Sequence, residues 1–496
     1  MSNDVLVPDA TGSALTISDR GFVDLDNEFF RDLGTNGRRC VSCHVPSSGW
    51  TITPGGLQEI FDKTDGGVDA DALGLGAVFR LVDGAVSPRA DVATLAQRRV
   101  AYGMLLRRGV IRIGLPIPPG AEFELVAVDD PYHFASAAEL SLFRRPLPTT
   151  NLGFDSAVMW DGREVVHGAS VASELLTQAS DAVVAHAQGR PLPDGVRQSI
   201  VSFELGLATA QVVDLRAGDL NDGGGRGGPA QVLRQPFYVG INDVLGDART
   251  GAPFSPVVFD LYDAWVGAPV GVGSGSGSGG GGGSGSGASI GSGSGSGLGS
   301  GSGSTSVRAA DARPRLTSHV GVRALSGIGG DDARGEARRA VARGQALFNG
   351  RAISISGVSG INDEPVFGSP SVLVGTCGTC HDAPNGGDHS VVAPLNIGIV
   401  DAARRTPDMP LYTLRNKVTG AIVQVTDPGR ALVDGKWAHV GRFKGPMLRD
   451  LAVRAPYFHD GSAADLAAVV DFYDGRFLIG LSVQEKSDLA AFLGAL

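Results

Sequence analysis

The plainest chemistry in this chain belongs to its four cysteines, all of which fall in two copies of one pattern: Cys40-Val41-Ser42-Cys43-His44 and Cys377-Gly378-Thr379-Cys380-His381. C-x-x-C-H is the attachment signal for c-type haem. Two thiols within one turn form thioethers with the haem vinyl groups, and the next residue sets an imidazole beneath the iron. A four-cysteine zinc site would explain the thiols but would make both adjacent histidines coincidences. A thioredoxin-type dithiol needs a βαβ context that is not evident here. Two covalently bound haem c groups are therefore expected, on Cys40, Cys43, Cys377 and Cys380, with His44 and His381 as iron ligands. Bacterial haem c is attached outside the cytoplasm, so a periplasmic or otherwise exported protein is expected. Met1-Ser2-Asn3-Asp4 nevertheless begins neither a basic nor an apolar leader, so either the leader is missing from this numbering or the start is misplaced.

The elements that must position these groups are mostly helical. Ser482-Val483-Gln484-Glu485 forms a capping box ahead of Leu489, Phe492 and Leu493, and Ser462-Ala463-Ala464-Asp465 opens another helix in the same style. In the latter, Leu466, Val469, Val470 and Tyr473 fall at i, i+3, i+4 and i+7, which puts the tyrosine on the buried stripe. Glu336 to Phe348 and Gln198 to Val213 also read as helices. Strand signals cluster between Val100 and Asp129, in what reads as an inserted or appended piece outside the haem core.

Composition bounds the rest. Of 496 residues, 74 are glycine, about twice the usual ~7%, and Gly271 to Ser306 is almost wholly glycine and serine. Such a tether cannot bury enough apolar surface to order itself, and as a coil it spans about 30–36 Å, so the flanking halves can still pack face to face. The expected organisation is an N-terminal haem domain (1–270, with an insertion at about 51–130), a linker (271–306) and a C-terminal haem domain (307–496). The fold class is mainly α, two cytochrome-like haem domains packed together. A net charge of −10 leaves no basic field for nucleic acid, and no run approaches the ~18 apolar residues of a membrane span.

Several further motifs occur together: Met159-Trp160-Asp161-Gly162-Arg163, Phe203-Glu204-Leu205, Ala342-Arg343-Gly344-Gln345-Ala346-Leu347-Phe348, Thr426-Asp427-Pro428-Gly429-Arg430, and Phe443-Lys444-Gly445-Pro446-Met447-Leu448-Arg449 running on to Ala455-Pro456-Tyr457-Phe458-His459-Asp460-Gly461. In kind and order they resemble the bacterial dihaem cytochrome c peroxidase family, which includes MauG, as a divergent member. The resemblance implies that hydrogen peroxide is reduced, or used to oxidise a partner, at the His44 haem. It further implies that the His381 haem relays electrons and that Trp160 bridges the two. Where peroxidases of the family usually place a methionine ligand to the second iron, this chain has Tyr473, similar to MauG; Met409 and Met447 are fallback ligands.

The resemblance fails at the reactive haem. The family's distal glutamine and glutamate positions are Ser170 and Ser180 here. Substitutes lie on the helix around Ala169 to Ala187, where His186 shares a face with Leu176, Ala179 and Val183, with Gln178 and Glu174 nearby. His186 is a candidate acid–base or sixth ligand, and His133 is a second candidate distal histidine. The family's calcium asparagine is replaced by Arg145, which calls the calcium into question. Arg144, Arg145, Arg163 and Arg449 are candidate partners of haem propionates. Two other functions stay open, a dihaem oxygenase taking dioxygen and a non-catalytic electron carrier or sensor. A small cytochrome or cupredoxin is the kind of electron donor expected.

Overall fold

Side-chain caps set the helix ends wherever the sequence provides them. In the computed structural model, which describes residues 2–3, 5–69, 71, 73–166, 168–267 and 331–496, Ser482 accepts from the Glu485 N–H and Glu485 returns the bond, opening the last helix as expected. The preceding helix starts three residues later than its Ser462 signal, because Asp465 is the residue that accepts from the Ala468 N–H. The expected tether lies outside the described residues.

The first half contains strands β1 (Leu6–Pro8) and β2 (Gly12–Ser18), helices α1 (Pro54–Lys63), α2 (Leu95–Ala101) and α3 (Gly103–Arg108), and strands β3 (Ile111–Leu115), β4 (Phe123–Asp129) and β5 (Leu140–Arg144). It continues through α4 (Val171–His186), α5 (Asp194–Leu205), β6 (Leu207–Asp214), β7 (Gly218–Asp219) and α6 (Pro229–Val232). The second half runs α7 (Asp331–Gly350), β8 (Ile353–Ile355), β9 (Leu373–Gly375), β10 (Leu411–Asn416), β11 (Ile422–Val425), α8 (Ala431–Asp434), α9 (Leu466–Phe477) and α10 (Val483–Gly494). Among the described residues helix takes 31% and strand 16%. The expected helix from Gln198 to Val213 is corrected: it ends at Leu205, and Leu207–Asp214 is a strand paired with β2. Gly206 ends the helix, and Thr209, Val212 and Val213 suit the pleated, fully buried position that follows.

The halves interleave. β4 of the first half completes an antiparallel sheet with the β10–β11 hairpin of the second, Phe123 facing Asn416 and Asp129 facing Leu411. One core cluster joins Phe259, Tyr262 and Trp265 to Phe348 of α7 and Phe492 of α10. The 51–130 region is not peripheral either, since Leu57, Phe61, Phe79, Tyr102 and Leu105 pack with Val45 and against Cys43. It forms one wall around the first C-x-x-C-H.

Candidate functional site

The two C-x-x-C-H segments fold alike. Each cysteine pair lies on a short 3-10 turn, Cys40–Ser42 and Cys377–Thr379. In each, the hydroxyl just before the second cysteine accepts the N–H at the turn's start, Arg39 N to Ser42 Oγ at 3.1 Å and Thr376 N to Thr379 Oγ1 at 3.0 Å. Each histidine then donates from Nδ1 to a main-chain carbonyl six residues on, His44 to Trp50 at 3.2 Å and His381 to Gly387 at 2.6 Å. Each also tilts against a phenylalanine, Phe29 and Phe348, with ring centres 6.3 Å apart in both cases. A proton fixed on Nδ1 leaves the lone pair on Nε2, the arrangement a metal-bound imidazole needs. Burial lowers both histidines, His44 to about 4, so both are neutral at pH 7.

No disulfide joins the four cysteines, and burial pushes all four thiols up, Cys43 to about 11 and Cys377 and Cys380 to about 12. That is opposite to the lowered thiol of a redox dithiol. Among the described residues no three His, Cys, Asp or Glu side chains converge into a metal cage. The cysteine pairs sit in different clusters, Cys40 beside the Phe29–Trp50–Phe203 aromatic group and Cys377 and Cys380 beside Ile353 and Ile355.

Beside the second pair opens an apolar cavity of about 230 Å³. Cys377, Cys380 and His381 share its lining with Leu466, Val469, Val470 and Tyr473 of α9, the stripe seen in the sequence. Burial raises the Tyr473 phenol, and the two thiols add to the shift; its hydroxyl has no hydrogen-bond partner among the described residues. Met447 lines the same cavity, whereas Met409 packs elsewhere with Val86, Met104 and Phe143. Paired thiols, a neutral imidazole, a phenol without a hydrogen-bond partner and apolar walls fit a covalent haem at this position.

Trp160 lines the cavity too. Its Nε1 donates to the Arg145 carbonyl at 2.8 Å, and its ring lies 6.3 Å from that of His459. The segment that follows Arg145 reaches the first site, where Thr149 N donates to the same Trp50 carbonyl that holds His44. His459 is fully buried and stacked on Phe443 at 4.4 Å; neither ring nitrogen has a hydrogen-bond partner among the described residues, and Nε2 lies 4.0 Å from Asp427 Oδ2.

Around His44 the sequence candidates separate. His186 ends α4 with Nδ1 on the Asp83 carboxylate, which Arg38 also binds. The dyad lies near the first site: the charges of Arg38 and Asp83 act on Cys43 and that of His186 on His44. His133 is an exposed turn residue with positive φ beside Asp130. Ser170 caps α4, and Ser180 Oγ accepts from Leu192 N, so both have structural roles. Glu174 is buried and accepts from Val166 N.

The arginines divide similarly. Arg144 and Arg163 are paired with carboxylates, Arg144 with Asp161 and Asp427 and Arg163 with Asp161. Arg449 is buried and donates to the carbonyls of Gly228 and Asn385 at 3.2 and 3.5 Å. Arg145 and Arg454 line the cavity and donate only to main-chain carbonyls among the described residues. Buried cations without carboxylate partners at a cavity wall suit carboxylate groups of a bound cofactor.

Sequence reasoning missed Asp83, Arg38 and Arg454, and gave Glu204 no role of its own. Asp83 sits in a stretch with no chemical pattern, and Arg454 lies between the two recognised parts of the run from Phe443 to Gly461. Glu204, already part of a recognised motif, is fully buried beside Cys40, and burial pushes it to about 8.

No protein-family model matches the chain, and no solved structure does. Over 132 residues it is 34% identical to the cytochrome-c peroxidase IdrP2 of Denitromonas iodatirespirans, covering 25% of this chain and 36% of that one. Over 174 residues it is 30% identical to the cytochrome-c peroxidase IdrP1 of Pseudomonas sp. (strain SCT), covering 31% and 39%. The chain is thus a distant relative of proteins named cytochrome-c peroxidase. It spans well under half the length of the curated relatives it matches.

Proposed function

We propose that this chain is a dihaem c-type oxidoreductase of the cytochrome c peroxidase type, divergent and similar to MauG at its second iron. In this reading two cytochrome-like domains, carrying haem on Cys40/Cys43 and Cys377/Cys380, pack across the seam. The observation that carries the proposal is the repeated histidine geometry, two neutral imidazoles each fixed through Nδ1 to a carbonyl six residues on.

When bound, the haem irons supply the electron-transfer centre and the site of O–O bond cleavage. His44 Nε2 would hold the reactive iron, and His381 Nε2 with the Tyr473 hydroxyl would hold the other. A phenolate from Tyr473 would favour the ferric state of an iron held there and so would lower its potential. Asp83 orients His186 through Nδ1 and leaves Nε2 to take a proton from peroxide and return it to the departing oxygen. Trp160, anchored by the Arg145 carbonyl, supplies an oxidisable ring between the two centres. Hydrogen peroxide is the proposed substrate and a small redox protein the proposed donor, in the periplasm or another exported compartment. Among the described residues no helix is long and apolar enough to cross a membrane.

Protein matured in an exporting host tests this through its haem content and its ferric and half-reduced spectra, with and without peroxide. Two haems per chain and a high-spin component that reacts with peroxide support the proposal. A colourless chain, or two low-spin six-coordinate haems in every redox state, overturns it.

A further inference from the structure

Three main-chain carbonyls from three segments converge on one guanidinium at the seam. Arg145, 6% exposed, donates to Arg108 O at 2.8 Å and to Ile52 O and Arg454 O, both at 2.9 Å. Ile52 follows the first C-x-x-C-H, Arg108 ends α3, and Arg454 belongs to the second half. Uncharged carbonyl oxygens gathered from separate segments are the donors that hard cations such as calcium use.

The backbone is shaped for this contact. A Cβ on Gly109 would lie 2.6 Å from Arg145 Nη1 and 3.2 Å from Ile52 O, and one on Gly461 would lie 2.6 Å from Arg108 O. Both glycines have positive φ, at 60° and 67°. The same residue aligns the groups between the two sites, its N–H donating to His459 O at 2.6 Å and its carbonyl accepting from Trp160 Nε1.

A calcium ion does not fit here. The guanidinium fills the cage, and Arg454 adds a second buried positive charge, felt at Arg145. We propose that the Arg145 guanidinium is a built-in cation that takes the place of a bound metal ion, joining the two halves and positioning Trp160 without any divalent cation. The clamp stands independently of the peroxide chemistry.

The test uses the full-length protein with its cofactors, read by calcium content and by melting midpoint in EDTA and in calcium chloride. The wild type is expected to retain no calcium after dialysis and to melt at the same temperature in both. Arg145→Leu is expected to melt lower by roughly 5 °C or more, with no response to calcium. Arg145→Asn empties the cage of its cation and adds an amide oxygen, so its lowered midpoint is expected to recover in calcium chloride. A wild-type chain that holds calcium and loses stability in EDTA overturns the proposal. So does an Arg145→Leu chain that melts like wild type, or an Arg145→Asn chain indifferent to calcium. Should the variants fail to accumulate, the wild-type calcium content and EDTA response decide the matter.

Discussion

Arg144 and Asp427 meet across the seam through two hydrogen bonds, Nε to Oδ2 at 2.7 Å and Nη2 to Oδ1 at 2.9 Å, with both side chains at most 2% exposed. Arg144 also holds Asp161, two residues short of Arg163, so one guanidinium ties the Trp-Asp-Gly-Arg motif to the Thr-Asp-Pro-Gly-Arg motif. Asp427→Ala takes two charge-assisted hydrogen bonds from Arg144 but leaves it paired with Asp161, so it should cost roughly 1.5–3 kcal/mol of stability, measured by denaturant unfolding. A loss under about 1 kcal/mol would mean the pair is solvated. Burial pushes Asp161 up, but Arg144 and Arg163 outweigh it and hold the carboxyl at about 2. Its stabilising share is thus present above the ordinary aspartate range and is lost as pH falls through about 2.

Tyr473 should show itself in the ferric spectrum. Tyr473→Phe is expected to alter the axial signature of the haem proposed at Cys377/Cys380 in electron paramagnetic resonance while haem content stays at wild-type level. A methionine-to-iron band present in wild type and persisting in the variant would assign the ligand to Met447, which lines the same cavity.

His186 and Asp83 make a graded pair. His186→Gln should lower the rate of peroxide reaction by about 10²–10⁴-fold, the usual worth of a positioned acid–base group. Asp83→Asn should lower it less, because the imidazole stays and only its orientation weakens. Stopped-flow mixing with peroxide reads both. Equal, small effects would return His186 to a structural role.

Glu204 gives a pH signature of opposite sign to Asp161. Its folded value of about 8 lies above the ordinary 4.5, so the folded chain keeps a proton that the unfolded chain releases. Its contribution to stability falls as pH rises from about 4.5 to about 8. Glu204→Gln removes that loss, and the variant should gain on wild type steadily across that interval in thermal melts. A constant difference at all pH values would place the carboxyl in contact with water.

Local signals were legible where they act locally. Cys40, Cys43, Cys377 and Cys380 form a pattern whose proposed chemistry rests on spacing alone, and Ser482 and Glu485 fix a helix start between themselves. The stripe ending at Tyr473 was readable because helical period decides which side chains share a face. The Gln198–Val213 error came from apolar residues that suit a helix face or a buried strand equally, and only the partner β2 decides between them. Asp83 was invisible for a similar reason: it is 103 residues from His186, and nothing near it in sequence marks the meeting. The cage around Arg145 is built from carbonyls, which every residue carries, and no pattern of side chains could have revealed it.

The shared sheet has a consequence for truncation. β4 pairs with β10 from Phe123 to Asp129, with one irregularity at Val126, so a fragment ending before the second half would present that strand's edge bare. An unpaired edge is a template for association with other chains. Fragments made separately should therefore be prone to aggregate, and co-expressed fragments should recover one another as a complex.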